Sequence, residues 1–191
     1  MNSLSLSNME NAPVDASRRH RLTRISGFAS WASFAFAAVI VVATAYVWLI
    51  DGALAEWLAR SVDDIIVTPA PMVVGAAGAV SMVPIVLLVA MLIELGWLFR
   101  LFADNRVFDP AVPRRLGRVG WLAFSGCAAT VVCQTLVTLL MTSANPPGHH
   151  IIAIGIDSQA LAGLMIGFLF LVFSLVMQEA LGIAEENRSF V

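Results

Sequence analysis

The sequence predicts an all-α membrane protein: a four-helix transmembrane bundle with a short outer interfacial helix and both termini in the cytosol. Three observations predict it. The 191-residue chain is 59% hydrophobic and only 13% charged, with mean hydropathy +0.86, whereas soluble domains carry about 25% charged residues. Four long runs are free of charge, each sufficient for the ~20 apolar residues that cross a bilayer. The arginines alternate between the segments that join those runs.

Taking the elements in order, residues 1–24 are polar and contain Arg18, Arg19, Arg21 and Arg24. They are expected to form a flexible cytosolic tail ahead of a four-span domain over 25–191. The first uncharged run covers 25–50, and a span is placed near 26–49. Ser17-Arg18-Arg19-His20-Arg21-Leu22 faintly resembles a twin-arginine signal. The apolar run behind it has 26 residues, too long for the ~7–15 of a cleaved signal.

After this span, Leu54, Trp57, Leu58, Val62 and Ile65 recur at helical spacing among Glu56, Arg60, Asp63 and Asp64. That pattern predicts an amphipathic helix on the outer interface. It reads as an anchor, with a lid over an outward cavity as the alternative. Thr68-Pro69-Ala70-Pro71 reads as a helix start with Thr68 as N-cap and Pro69 in the first turn. The second span is placed near 72–98. Pro84 removes a backbone donor in its middle, and Ser81 is placed to bond the freed carbonyl region.

Asp109-Pro110 opens the helix that enters the third span, placed near 119–143. Asn145-Pro146-Pro147-Gly148 ends it, because two prolines cannot continue a helix. The fourth span is placed near 157–179. It contains Gly163 and Gly167 in a GxxxG step that lets helix backbones approach closely, with a partner either in this chain or in a second copy.

Orientation follows from the arginine count. Ten of the eleven basic residues lie before span one, between spans two and three, or in the tail, and only Arg60 lies on the other side. The positive-inside rule therefore places both termini in the cytosol of a bacterial inner (cytoplasmic) membrane. Trp48 and Trp57 then mark the outer interface, and Trp97 and Trp121 the inner one.

Few residues point to chemistry. On span three, Arg114, Arg118, Leu122, Gly126, Thr130, Gln134, Thr138 and Thr142 are spaced by four and form a slowly winding stripe. Its polar part, Thr130, Gln134 and Thr138, reads as interhelical packing or as the wall of a polar cavity. Glu94 near the inner end of span two needs a partner, and a network of Glu94, Arg114, Arg118 and Glu179 would tie three helix ends together. A proton or cation site at Glu94 is the sharper reading of the same residue. His149 and His150 with Asp157 lack a third well-spaced ligand for a metal. Cys127 and Cys133 are six residues apart and point in different directions. No nucleophile elbow, zinc motif or phosphate loop is present, and the net charge of −2 provides no field for nucleic acid. No catalytic residue, cofactor or metal ligand is expected, which favours a non-enzymatic protein.

The segment from Leu98-Phe99-Arg100 through Asn105-Arg106-Val107-Phe108-Asp109 to Pro113-Arg114-Arg115-Leu116-Gly117-Arg118 resembles the central loop of a family of small bacterial four-span membrane proteins. That family is catalogued only as a domain of unknown function. The tail, Glu185-Glu186-Asn187-Arg188-Ser189-Phe190-Val191, is similar to its Glu-Asn-containing end, and the resemblance covers roughly 30–191. Asn105 stands where the family usually has Gly, and Asn tolerates the left-handed conformation such a turn needs. The resemblance implies four spans with both termini inside. Members are often encoded beside phage-repressor-type helix-turn-helix regulators, which implies a cytosolic regulator as partner. Arg106, Phe108, Arg114 and Arg115 are the candidate surface for it. The expected function is partner binding through this arginine-rich face. The alternative is a small oligomeric transporter or channel subunit using Glu94 and the polar stripe, with a second copy of the chain and the lipid bilayer as its partners.

Overall fold

The computed structural model describes the backbone of residues 4–62, 67, 69–107, 109–143, 145–146 and 158–189, and within these the side chains of 23–146 and 160–186. The chain forms five helices: α1 (Leu4–Leu49), α2 (Ala53–Ser61), α3 (Pro71–Ala103), α4 (Ala111–Thr142) and α5 (Ser158–Ser189). Four are long and apolar enough to cross a membrane, over Thr23–Leu49, Pro71–Ala103, Ala111–Thr142 and Ala160–Glu186. At 1.5 Å per residue the shortest of these is about 40 Å long, enough for a hydrocarbon core of about 30 Å. Four such helices stand where the four spans are expected; α1 and α4 begin earlier, α3 extends past both expected ends and α5 ends later.

The spans pack as an open row. α1 packs on α3, α3 on α4 and α4 on α5, while α1 and α5 do not meet among the described residues. Each helix has at most two spanning neighbours, so only 11–22% of each apolar window is buried. Large side chains such as Trp31, Phe36, Phe168 and Leu175 are accordingly exposed, as a lipid-facing surface requires.

Each seam of the row has its own chemistry. Between α1 and α3, Ser30 Oγ donates to the Gly96 carbonyl at 2.9 Å, and Phe34 meets Trp97 edge-on at 5.8 Å. A Cβ on Gly96 would stand 2.9 Å from the Phe34 ring, so the glycine makes room for it. Between α4 and α5, Ser174 Oγ donates to the Pro113 carbonyl at 2.7 Å. Gly167 rests on the α4 backbone, where its Cβ would lie 3.0 Å from Phe124 N, and Gly163 is covered by Cys127. The partner of the GxxxG step is therefore α4 of the same chain.

α2 closes one end of the row. Leu58 is fully buried and clusters with Val62, Ala77, Val137 and Met141, the main core of the described chain. The helix thus packs on α1 and α3, and its Leu58 joins a cluster that reaches α4 through Val137 and Met141, rather than only floating at an interface. It is entered through Gly52, whose φ of +83° is the left-handed region that glycine adopts without strain.

The helix ends refine several expectations. α1 begins at Leu4, so the backbone is helical through the segment expected to be a tail. Pro13 lies inside this stretch, so local backbone preference does not account for the helix there. α3 begins at Pro71 with Ala70 as an extended N-cap, not at Thr68 and Pro69, and Thr68 lies outside the described residues. A residue before proline is driven to extended backbone, which holds Ala70 out of the helix. Ser81 Oγ donates to the Ala77 carbonyl at 2.9 Å, one turn before the Val80 carbonyl that Pro84 frees, because a serine hydroxyl reaches its own i−4 carbonyl.

α3 ends in a Schellman turn. The Arg106 amide bonds the Leu101 carbonyl at 3.0 Å, the Asn105 amide bonds the Phe102 carbonyl at 3.1 Å, and Asn105 is left-handed at φ +58°. α4 then starts under a carboxylate, with Asp109 Oδ1 accepting the Ala111 amide at 2.8 Å. It ends at Thr142, and the buried Asn145 takes the Val67 amide on its side-chain oxygen at 3.3 Å.

Candidate functional site

Two places on this scaffold gather polar groups: the arginine-rich end of α3 and α4, and a cavity toward the α2 end.

At the arginine-rich end, Glu94 on α3 accepts from Arg115 Nη1 at 2.8 Å and from Arg118 Nη1 at 2.9 Å. Arg115 and Arg118 are three residues apart, so they share one face of α4. One helical turn beyond Glu94, the Trp97 ring lies beneath two guanidinium groups, Arg100 at 5.5 Å and Arg115 at 5.8 Å. The expected network is therefore corrected in two members. Arg115, assigned to the partner surface, takes the place of Arg114, because one residue is a 100° rotation on a helix. Arg114 and Glu179 are exposed and make no ion pair among the described residues.

The turn between α3 and α4 carries the remaining charge. Arg106 pairs with Asp109, and Arg106 keeps 61% of its side chain exposed. The Ala111 amide holds the Asp109 carboxyl below its usual range, opposed by desolvation and supported by the Arg106 charge and hydrogen bond. Arg106 and Arg114 therefore present themselves at the surface, Arg118 does so in part, and Arg115 does not. Phe108 lies outside the described residues, as do His149, His150 and Asp157.

The cavity measures about 540 Å³. It runs along α3 from Ser81 past Pro84 to Met91 and along α4 from Val137 to Leu122, with Gly163 of α5 on one side and Trp57 of α2 at its mouth. Its wall is nearly all apolar. Thr130 and Gln134 lie on it, while Thr138 is turned toward the packed crevice and donates to the Gln134 carbonyl at 3.0 Å. The threonines of the stripe bond their own helix rather than another: Thr130 donates to Gly126 at 2.9 Å and Thr142 to Thr138 at 2.8 Å. A smaller cavity of about 230 Å³ lies between α1, α2 and α3 and shares Trp57 and Ile85 with the first. Among the described residues no group of three or more His, Cys, Asp or Glu is placed to hold a metal ion.

The comparison with protein families bears on both places. Residues 54–189 match the family described as protein of unknown function (DUF2975). The chain belongs to the DUF2975 family. The match starts later than the expected 30, at Leu54 in α2, so the first span lies before it. The DUF2975 segment runs from α2 to α5 and contains the arginine-rich end and every residue on the wall of the larger cavity. No curated protein and no solved structure matches the chain.

Sequence reading missed the serine bonds that join the seams and the stacking on Trp97. The signal available for the serines was their position in otherwise apolar spans, where an unbonded hydroxyl is costly. The Trp97–Arg100 pair was visible as an i,i+3 spacing.

Proposed function

We propose that this member of the DUF2975 family is a non-enzymatic protein of the bacterial cytoplasmic membrane that docks a soluble acidic partner on its arginine-rich, cytosolic end. The orientation rests on the ten-to-one distribution of arginines. The observation that carries the docking reading is the division of labour among the arginines. Arg115 is taken up by Glu94 and Trp97, while Arg114 is exposed with no ion pair among the described residues, and Arg106 and Arg118, though paired with Asp109 and Glu94, keep 61% and 60% of their side chains exposed. Arg115 serves the structural tie, and the exposed charge of Arg114, Arg106 and Arg118 is what a partner or anionic headgroups would meet.

The geometry offers less to a transporter. Both oxygens of Glu94 are held by arginines. Arg118, which marks its level on α4, is sixteen residues from Gln134, a separation of about 24 Å along the helix.

A photo-reactive residue at Val107, which is exposed, tests the docking reading in cells. A specific soluble protein captured there, and lost in Arg106→Gln and Arg114→Gln, is the expected result. Capture of lipid alone, or of this chain alone, overturns it.

A further inference from the structure

We infer that the larger cavity is a binding groove for the acyl chain of a membrane lipid from the leaflet on the α2 side, with a neutral ester carbonyl of that lipid accepting from the Gln134 side-chain amide. Four observations converge on it. The first is an unspent polar group. Ser61, Ser81 and Thr130 on the wall donate to the Leu58, Ala77 and Gly126 carbonyls at 2.8–2.9 Å. The Gln134 amide is exposed and makes no hydrogen bond to any described residue. An amide that faces hydrocarbon without a partner is costly, so its retention here points to a partner outside the described chain.

The second is depth. Gln134 lies three residues, or about 4.5 Å, below Val137, which belongs to the same buried cluster as Leu58 of the roof helix α2. A helix of this amphipathic kind sits at the boundary between headgroups and acyl chains. The amide therefore stands near the level where lipid chains carry their ester groups, and the groove continues from there into the apolar interior.

The third is shape. From Gln134 to Leu122 the groove extends about 18 Å. A hydrocarbon chain can lie along a groove of this length. The volume falls within the range of about 300–1,000 Å³ usual for ligand sites.

The fourth is charge. No charged side chain lines the groove among the described residues. A free fatty carboxylate would lie there uncompensated, so the headgroup side of the occupant near Gln134 is a neutral carbonyl.

The test uses the full chain in phosphatidylethanolamine–phosphatidylglycerol vesicles carrying a small fraction of phosphatidylcholine with a diazirine in its acyl chain. After irradiation, adducts are mapped by mass spectrometry. Groove residues such as Leu88 and Cys127 are expected to be labelled more densely than the exposed outer face of α1 at Phe36 and Val39. Gln134→Leu, which suits a membrane interior and keeps the fold, is expected to lower groove labelling about threefold, the scale of one hydrogen bond within a bilayer. Thr130→Trp, which fills the wall from an exposed position, is expected to remove most of it. Labelling of α1 should not change in either variant. Groove labelling no denser than on α1, or unmoved by Thr130→Trp, overturns the site. Preferential labelling by a diazirine fatty acid overturns the neutral-ester assignment.

Discussion

Arg115 Nη1 donates to Glu94 Oε2 at 2.8 Å across the α3–α4 seam, and the same guanidinium lies 5.8 Å from the Trp97 ring centroid. One arginine thus satisfies a carboxylate and covers an aromatic face at once. Both side chains are mostly removed from solvent, at 28% and 20% exposure. The arrangement locks the register of α3 against α4 at the arginine-rich end.

Glu94→Gln should therefore act on stability. It removes two charge-assisted bonds and leaves Arg115 half-buried without its counter-charge, a loss of about 1–3 kcal/mol. Arg114→Gln should stay within about 0.5 kcal/mol of the parent. Thermal unfolding followed by circular dichroism in detergent reads both. A Glu94→Gln protein with unchanged stability would mean that this pair does not hold the seam.

The α4–α5 seam makes a sharper steric forecast. A Cβ on Gly120 would stand 2.8 Å from Leu171 Cγ and 3.0 Å from the Gly167 carbonyl, and one on Gly167 would stand 3.0 Å from the Phe124 nitrogen. Backbone atoms cannot yield as a side-chain tip can, so Gly120→Ala and Gly167→Ala should each cost about 1–3 kcal/mol. Gly182 has open space around its missing Cβ, and Gly182→Ala should be neutral or gain up to about 1 kcal/mol from helix propensity. The same melting experiment separates the two groups.

How much of this was legible follows from what each feature depends on. The spans were legible because crossing a bilayer is a matter of length and composition, and the uncharged runs state both. The left-handed Asn105 was legible because the local turn demands it. The polar stripe was legible as a pattern but not as a face. Residues spaced by four drift about 40° per step on a 3.6-residue helix, so Arg114 ends exposed and Thr142 ends buried. The choice of Arg115 over Arg114, and the open row in place of a closed ring, depend on which helices touch. One chain's periodicity does not encode that. The cavity was invisible for the same reason, although Gln134, its most informative side chain, stood out in the stripe.

The cap of α4 gives a pH dependence. The Ala111 amide and Arg106 hold the Asp109 carboxyl below its ordinary value of 3.8, so the folded state favours the ionised form. That contribution is present in full above the unfolded value and disappears as pH falls through the lower folded one. Asp109→Ala should thus be less stable than the parent at pH 6, and the gap should close as pH drops below 3.8. Melting curves of the pair from pH 6 down to pH 2.5 give the comparison. A gap that is constant across that window would mean that the carboxylate charge does not contribute to the cap.

α2 is the element whose disturbance should separate local from global stability. Leu58 is fully buried, and with Val62 it is most of what α2 contributes to the core. Elsewhere, truncating a buried Leu to Ala costs about 2–5 kcal/mol. Here the helix is nine residues long and flanked by a left-handed Gly52 and an extended Val62, so it can lift away while the four spans keep their seams. Leu58→Ala should then spend its cost on local opening rather than on global unfolding. Cys133, only 8% exposed on the wall beneath α2, reports the difference. Its maleimide labelling should speed up by an order of magnitude or more, as ~1.4 kcal/mol per tenfold implies, while the melting midpoint of the spans moves little. The opposite result, a lower midpoint with Cys133 still protected, would make α2 an inseparable part of the membrane core and deny it the freedom a roof over the groove requires.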